Sequence, residues 1–568
     1  MHYETGILVL VFVVLALVVG AFLRDALKNT PIPYSVALLI VGLGLGLIQR
    51  SGFFSEAMPL LDESLLAVSS IDPHLILWLF LPTLIFESAF ALEVHLFRRI
   101  FSQIALLAVP GLIVATVITA VLAKYVFPWN WSWPLCFMFG ALISATDPVA
   151  VVALLKELSS RKRLETLIEG ESLFNDGTAI VFFSLFLGMV VSQGETDLNP
   201  LLIGWEFLRV VFLGLLIGVV FGAIAIAWIG RVFNDPMIEI TLSIVVAYLA
   251  FMVAESVHAS GVVAVVVLAL MFASIGRTKV SPEVSGFLHH FWEMMAHIAN
   301  TIIFLLVGTL IAGRVQLDNP DYWIALGVLY ISLQGIRAFS VALFIPLLKR
   351  IGIGINFEKA TVLVWGGLRG AVSLALALTV AQNDLIPKEI GDQVLFLCAG
   401  IVVLTILING STMGWILKKL GLDRLPDAKQ ATVDKASGEV SKTLCGALPA
   451  MMEDDFLKGA DWEQVKLASG LQAVSELSEP EHVSEEELAI AFKRRLLETE
   501  RKHYWTQFEQ GTLGVGATKK LVDSVEHALD GTPTIAPRHD LKEFWNTPPI
   551  LNALKNISVM KHLALKLS

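Results

Sequence analysis

The sequence predicts an all-α polytopic membrane protein of about thirteen transmembrane helices followed by a cytosolic tail, and three observations predict it. Only 16% of its 568 residues are charged while 55% are hydrophobic, where a soluble chain carries about 25% charged residues. The charge is segregated: residues 425–568 hold 39 of the 92 Asp, Glu, Lys and Arg residues, which leaves 1–424 depleted. Within 1–424, apolar runs approaching the roughly 20 residues a helix needs to cross the hydrocarbon core recur thirteen times. They cover approximately 6–23, 33–49, 71–92, 104–126, 134–155, 171–192, 206–230, 236–254, 260–275, 288–312, 322–347, 359–382 and 393–417. The ninth is short, and the sixth opens on polar residues.

Orientation follows from Lys and Arg, which favour cytoplasmic loops. Alternate connections on one side collect Arg24, Lys28, Arg98, Arg99, Lys156, Arg161, Lys162, Arg163, Arg231, Arg277, Lys279, Lys349, Arg350, Lys359, Lys418, Lys419 and Arg424. The other side holds only Arg50, Lys124, Arg314 and Lys388. This places the N-terminus outside and the tail in the cytoplasm of a cell (plasma or inner) membrane. Met1-His2-Tyr3-Glu4 has no basic n-region, so the first run is expected to stay in the bilayer. A net charge of −10 argues against nucleic-acid binding. Cys136, Cys398 and Cys445 have no metal-ligand spacing.

Helices five and twelve each carry a charge and a helix breaker at the centre. Helix five contains Ser144-Ala-Thr146-Asp147-Pro148, and helix twelve contains Gly366-Gly367-Leu368-Arg369-Gly370. They stand seven positions apart in the helix order, an odd number, so they run in opposite directions. That is the signature of an inverted repeat, helices one to six matching eight to thirteen, and such transporters put the ion site where interrupted helices meet.

Pro148 lacks an N–H, so the Ser144 carbonyl loses its helical donor. Broken backbone at this depth is tolerated where it is buried in protein or lines a cavity. A proline kink alone would be unremarkable, but Asp147 beside it points to function, as intramembrane carboxylates do. The sixth span opens Glu169-Gly170-Glu171-Ser172-Leu-Phe-Asn175-Asp176. Acids at a helix mouth would account for Glu169 and Glu171. They would not account for Asp176, which an apolar run follows directly. Arg369 calls for a buried anionic partner, with Glu171, Asp147 and Asp176 as candidates. Arg337, in helix eleven, reads as a structural charge. Glu87, in the third span, is either an interfacial acid or a site residue. His258, His297 and Asn300 read as packing polar groups.

Together, Thr146-Asp147-Pro148, Glu171-Ser172-x-x-Asn175-Asp176 and Gly366-Gly367-Leu368-Arg369-Gly370-Ala371-Val372-Ser373-Leu374 resemble the monovalent cation:proton antiporter family, in its NhaP and eukaryotic sodium-proton exchanger branch. Ser260-Gly261-Val262 and Ala299-Asn300-Thr301 are weaker companions, and the likeness covers roughly 6–420. The resemblance implies a homodimer with elevator-like alternating access. A mobile core (approximately 104–192 and 322–417) would move against a scaffold (approximately 6–92 and 206–312). It implies that Asp176 is the main cation and proton carboxylate, with Asp147, Ser172 and the Thr146 backbone oxygen as further Na+ ligands. Asn175 would orient Asp147, Glu171 and Arg369 would form the structural ion pair, and Glu87 would close the site. The Asn175-Asp176 pair resembles the electroneutral branch. Nothing beyond the transported Na+ and H+ is expected as cofactor, and no catalysis. Li+ is a further cation, and K+/H+ exchange is the alternative within the fold. An intramembrane aspartyl protease would need its second acid in a Gly-x-Gly-Asp setting, which Leu173-Phe174-Asn175-Asp176 does not supply. A channel would need a repeated filter or a charged ring.

In the tail, Ser484-Glu-Glu-Glu487 predicts a capped helix start, with Leu488, Phe492, Leu496 and Leu497 as its apolar positions. A second amphipathic helix is expected within 451–475. The tail is read as a partly folded appendage, with regulation open.

Overall fold

The computed structural model describes residues 5–28, 33–69, 73–148, 151–152, 154–155, 162–192, 200–229, 231, 235–274, 282–314, 320–348 and 357–422, and in the tail 443–444, 446–449, 451–452, 461–464, 485–510 and 512–530. The chain divides into two compact units, Met1–Asp423 and Arg424–Ser568. No strand occurs among the described residues.

In the first unit the order is α1 (Thr5–Ala26), α2 (Tyr34–Arg50), α3 (Phe53–Ala57), α4 (Pro59–Ser69), α5 (Pro73–Ala91), α6 (Val94–Leu106), α7 (Leu112–Val126) and α8 (Trp133–Ser144). Then come α9 (Lys162–Val191), α10 (Pro200–Ile229), α11 (Pro236–Ser256), α12 (Gly261–Ser274), α13 (Pro282–Arg314) and α14 (Pro320–Leu348). The unit closes with α15 (Phe357–Trp365), α16 (Ala371–Ala381), α17 (Lys388–Leu404) and α18 (Ser411–Lys419). Turns of π-helix join α6 to α7 (Leu107–Gly111, containing Pro110) and α17 to α18 (Thr405–Gly410).

Each apolar segment read from the sequence falls wholly or partly on helix. Eight helices among the described residues are long and apolar enough to cross a membrane, and five further apolar helices have only 10–17 residues. Length alone therefore supports eight crossings; the expected thirteen adds the short ones on apolarity.

Three features depart from the hydropathy reading. Residues 53–69 form α3 and α4, which pack on α1: Ser64 Oγ donates to the Leu8 carbonyl at 2.7 Å, and Phe54, Leu65 and Val68 bury against Phe12 and Ala16. The fourth segment begins at Val94, because Phe97, Ile100 and Ile104 make a buried stripe at helical spacing while Arg98 and Arg99 stay exposed. The sixth begins at Lys162, so Glu169 and Glu171 sit two turns inside α9. A helix mouth does not explain these acids.

Close helix contacts use glycine in place of side chains, as membrane interfaces do where lipid removes the hydrophobic drive. A Cβ at Gly42 of α2 would collide with the Leu305 carbonyl of α13, and one at Gly308 with the Leu39 carbonyl. On α10, Gly214, Gly218 and Gly222 recur every four residues, and the first two press on the carbonyls of Ser260 and Ala264. The opposite face of α10 leaves Leu201, Trp205, Leu208 and Phe212 exposed, as a lipid-facing surface would.

The second unit contains α19 (Glu485–Glu509) and α20 (Val515–Asp530), which pack around Leu497, Val525 and Ala528. Of the expected apolar stripe, Leu497 is buried while Phe492 and Leu496 are exposed. Ser484 and most of 451–475 lie outside the described residues.

Candidate functional site

The site starts from Pro148. Helix α8 ends at Ser144, and residues 145–148 run non-helically, Ala145 with φ −58° and ψ 138°. The carbonyls released there are answered from α9. Asn175 Nδ2 donates to the Ser144 carbonyl at 3.1 Å and to Thr146 Oγ1 at 3.0 Å, and Ser172 Oγ donates to the Thr146 carbonyl. Ser172 and Asn175 are three residues apart, so one helical face supplies both donors. The resemblance assigned Asn175 to orienting Asp147; its amide grips the residues before Asp147. Its own Oδ1, buried, has no hydrogen-bond partner.

The second break crosses the first. Between α15 and α16 the backbone is non-helical over 367–370, and the Asp147 N–H donates to the Leu368 carbonyl at 2.9 Å. Ser373 Oγ of α16 donates to the Leu142 carbonyl of α8 at 3.1 Å, tying the two interrupted helices a second time. A Cβ on Gly370 would overlap the Asp147 carboxylate, so only glycine fits there.

Arg337, read as a structural charge that pairs or caps, takes the anionic partner expected of Arg369. Glu171 is held by Arg337, Nη1 to Oε1 at 2.9 Å and Nη2 to Oε2 at 2.7 Å, with side-chain exposures of 12% for the arginine and 3% for the glutamate. This two-pronged pairing is the strongest geometry open to a guanidinium and a carboxylate. The expected Glu171–Arg369 pair is therefore replaced by Glu171–Arg337. Arg369, 5% exposed, gives Nε to the Ile143 carbonyl at 2.5 Å and Nη1 to the Gly367 carbonyl at 2.7 Å. These carbonyls lie at the C-terminal ends of α8 and α15, where orphan oxygens and the negative end of the helix dipole accumulate. Two helix ends thus supply what a carboxylate was expected to supply.

Asp176 follows Ser172 by one turn of α9, half-buried, close enough to Asp147, Glu171 and Arg369 to feel their charges. Asp147 is half-buried as well. Thr146, Pro148, Glu171, Ser172, Arg337 and Gly366 line one narrow cleft at the crossing. Carboxylates, carbonyls and hydroxyls are hard oxygen donors, suited to a hard cation and to a proton in turn. Glu87 sits on α5, half-buried, with Ser88 Oγ at 3.4 Å. Pro82 lies inside that helix, which runs on through it, and Tyr248 OH donates to the Leu79 carbonyl at 2.6 Å. His297 stacks on Tyr34 at 5.2 Å. His258 is exposed in a turn at φ 54°.

Thr405, Asn409 and Thr412, with Tyr330, also reach the second break and were missed in the sequence. Their signal is polar residues spaced four and then three positions apart in an apolar run.

The family described as "Sodium/hydrogen exchanger, transmembrane" matches residues 12–419. Sodium/hydrogen exchanger 7 of Arabidopsis thaliana is 39% identical over 97% of this chain and 49% of its own length. The chain thus spans about half of that relative. Na(+)/H(+) antiporter ApNhaP of Aphanothece halophytica is 33% identical over 69% of this chain and 70% of its own. Among solved structures, the sodium proton antiporter MjNhaP1 of Methanocaldococcus jannaschii superposes with a TM-score of 0.60 at 21% identity. It covers 73% of this chain and 99% of its own, a likeness of fold.

Proposed function

Because the chain belongs to the sodium/hydrogen exchanger family, we propose that it is a multi-pass antiporter exchanging a monovalent cation, Na+ before Li+, for H+. The observation that carries the reading is the crossing itself. Two interrupted helices meet through the Asp147 N–H and the Leu368 carbonyl, with Asp176 on the adjoining turn of α9.

In this reading Asp176 holds the cation or the proton, never both. Asp147, Ser172 and the Thr146 carbonyl complete the oxygen shell. Ser172 already donates to the Thr146 carbonyl, so the hydroxyl would rotate to turn a lone pair toward the cation. Competition for one carboxylate makes exchange depend on pH without a separate sensor. A site holding either one proton or one monovalent cation carries the same charge in both half-cycles. Voltage, worth about 2.3 kcal/mol per charge per 100 mV, then does no net work. Exchange is therefore electroneutral, one for one. Glu87 gates the site from α5. The protein works as a homodimer by elevator-like movement of its core, in a cell membrane with the tail cytoplasmic, and serves sodium and pH homeostasis. No cofactor or catalytic step enters.

Exchange by purified protein in proteoliposomes, read with a lumenal pH dye, tests this. Added Na+ should drive proton flux that persists when potassium and valinomycin hold the voltage at zero. Asp176→Asn should abolish it; full exchange by that variant contradicts the mechanism. Flux driven by K+ in preference to Na+ would reassign the cation within the same fold.

A further inference from the structure

We infer that Thr405, Asn409 and Thr412, backed by Tyr330, are positioning residues that set the cation affinity of the Asp147 site; the inference rests on the antiport reading above.

After Trp365 the backbone leaves the helix, so the last carbonyls of α15 need outside donors. The π-turn between α17 and α18 supplies one. Asn409 Nδ2 donates to the Trp365 carbonyl at 3.0 Å, and Asn409 Oδ1 accepts from Tyr330 OH at 2.8 Å. Tyr330 thereby fixes which way the amide faces. Trp365 Nε1 donates to Thr412 Oγ1 at 2.9 Å. On the far side of the break the Arg369 N–H donates to Thr405 Oγ1 at 3.2 Å, while the Thr405 hydroxyl donates to the Ile401 carbonyl at 2.8 Å. Asn409 is 0% exposed and Thr405 1%.

Three polar side chains of one helix thus hold both ends of the break. A π-turn widens the helix by one residue, and such turns recur at functional sites. Thr405 and Asn409, four residues apart, share one helical face toward the break.

The output lies between the two anchors. Leu368 stands between Trp365 and Arg369, and its carbonyl receives the Asp147 N–H at 2.9 Å. Gly370, next after Arg369, abuts the Asp147 carboxylate with no room for a Cβ. A shift of the break therefore moves the backbone and the carboxylate of Asp147 together. Partners one layer behind an ion's ligands typically control its affinity by about 10–100-fold.

Steady-state exchange by the full chain in proteoliposomes separates affinity from turnover. Thr405→Val, nearly isosteric, should raise the half-saturating Na+ concentration by about tenfold with a much smaller change in maximal rate. Thr405→Ser should restore it. Asn409→Leu should act like Thr405→Val, and Tyr330→Phe should raise half-saturation by about threefold, as one neutral hydrogen bond is worth. Na+ titration of the thermal stability of detergent-purified protein should show the same order without transport. If all four variants keep the wild-type half-saturation and lose only rate or protein yield, the residues are structural plugs and the inference fails. Thr405→Ser behaving like Thr405→Val overturns it too. Should Asn409→Leu fail to fold, Tyr330→Phe and the Thr405 pair decide. Asp176→Asn in the same vesicles keeps the two readings apart: its full activity sinks antiport at Asp176, whereas its silence beside unshifted Thr405 and Tyr330 variants sinks only this inference.

Discussion

Arg369 balances a full positive charge against carbonyl oxygens, and Arg337 balances one against a carboxylate. The difference sets what each will tolerate. Arg369 reaches the Ile143 and Gly367 carbonyls with two different nitrogens of one planar fork. A lysine ammonium offers a point charge in place of that fork. Arg369→Lys should therefore lose most exchange, about tenfold or more, given roughly 1.5–3 kcal/mol for a hydrogen bond to a charged group. Vesicle flux assays check this. At the Glu171–Arg337 pair, removing one partner strands a buried charge. Glu171→Gln or Arg337→Met alone should destabilise the protein by about 3–5 kcal/mol, seen as a lowered melting temperature in detergent. The double replacement should be milder than the sum. Additive losses would mean the two groups do not act as a pair.

Among the elements, the interrupted helices were legible because their chemistry is expensive in lipid. Asp147, Asp176, Pro148 and Arg369 stand out in apolar runs, and each lies at or beside the crossing. Thr405, Asn409 and Tyr330 escaped notice because hydroxyls and amides are tolerated in membrane helices, and a π-turn has no residue signature. The direction of the arginines escaped for another reason. Sequence shows that a charge needs a partner, whereas helix-end carbonyls become partners only once the breaks are folded against each other. Helix α9 starts nine residues before the apolar run, because hydropathy marks where apolar residues begin, and Lys162–Gly170 is helical without being apolar. Gly370→Ala tests the crossing as an element, since the added methyl must displace the Asp147 carboxylate. Exchange should fall by at least about tenfold while the purified protein stays folded. Wild-type exchange by Gly370→Ala would show that the crossing opens freely. Gly218→Leu should separate α10 from α12 and lower thermal stability by about 1–3 kcal/mol, as overpacking does.

For the whole molecule, the proposed competition between cation and proton would fix the sign of the pH response. Acidifying the cation-loading side should raise the half-saturating Na+ concentration while leaving the maximal rate at saturating Na+ nearly unchanged, since enough Na+ displaces the proton. A falling maximal rate with constant half-saturation would place the titrating group outside the ion site. The one-for-one stoichiometry is tested most directly by a balance point. In proteoliposomes with an inward Na+ gradient of about tenfold, net proton flux should vanish when the opposing pH gradient is about one unit. That balance should stay in place as potassium and valinomycin step the membrane voltage. A balance point that moves with voltage would contradict a single carboxylate shared in turn by one cation and one proton.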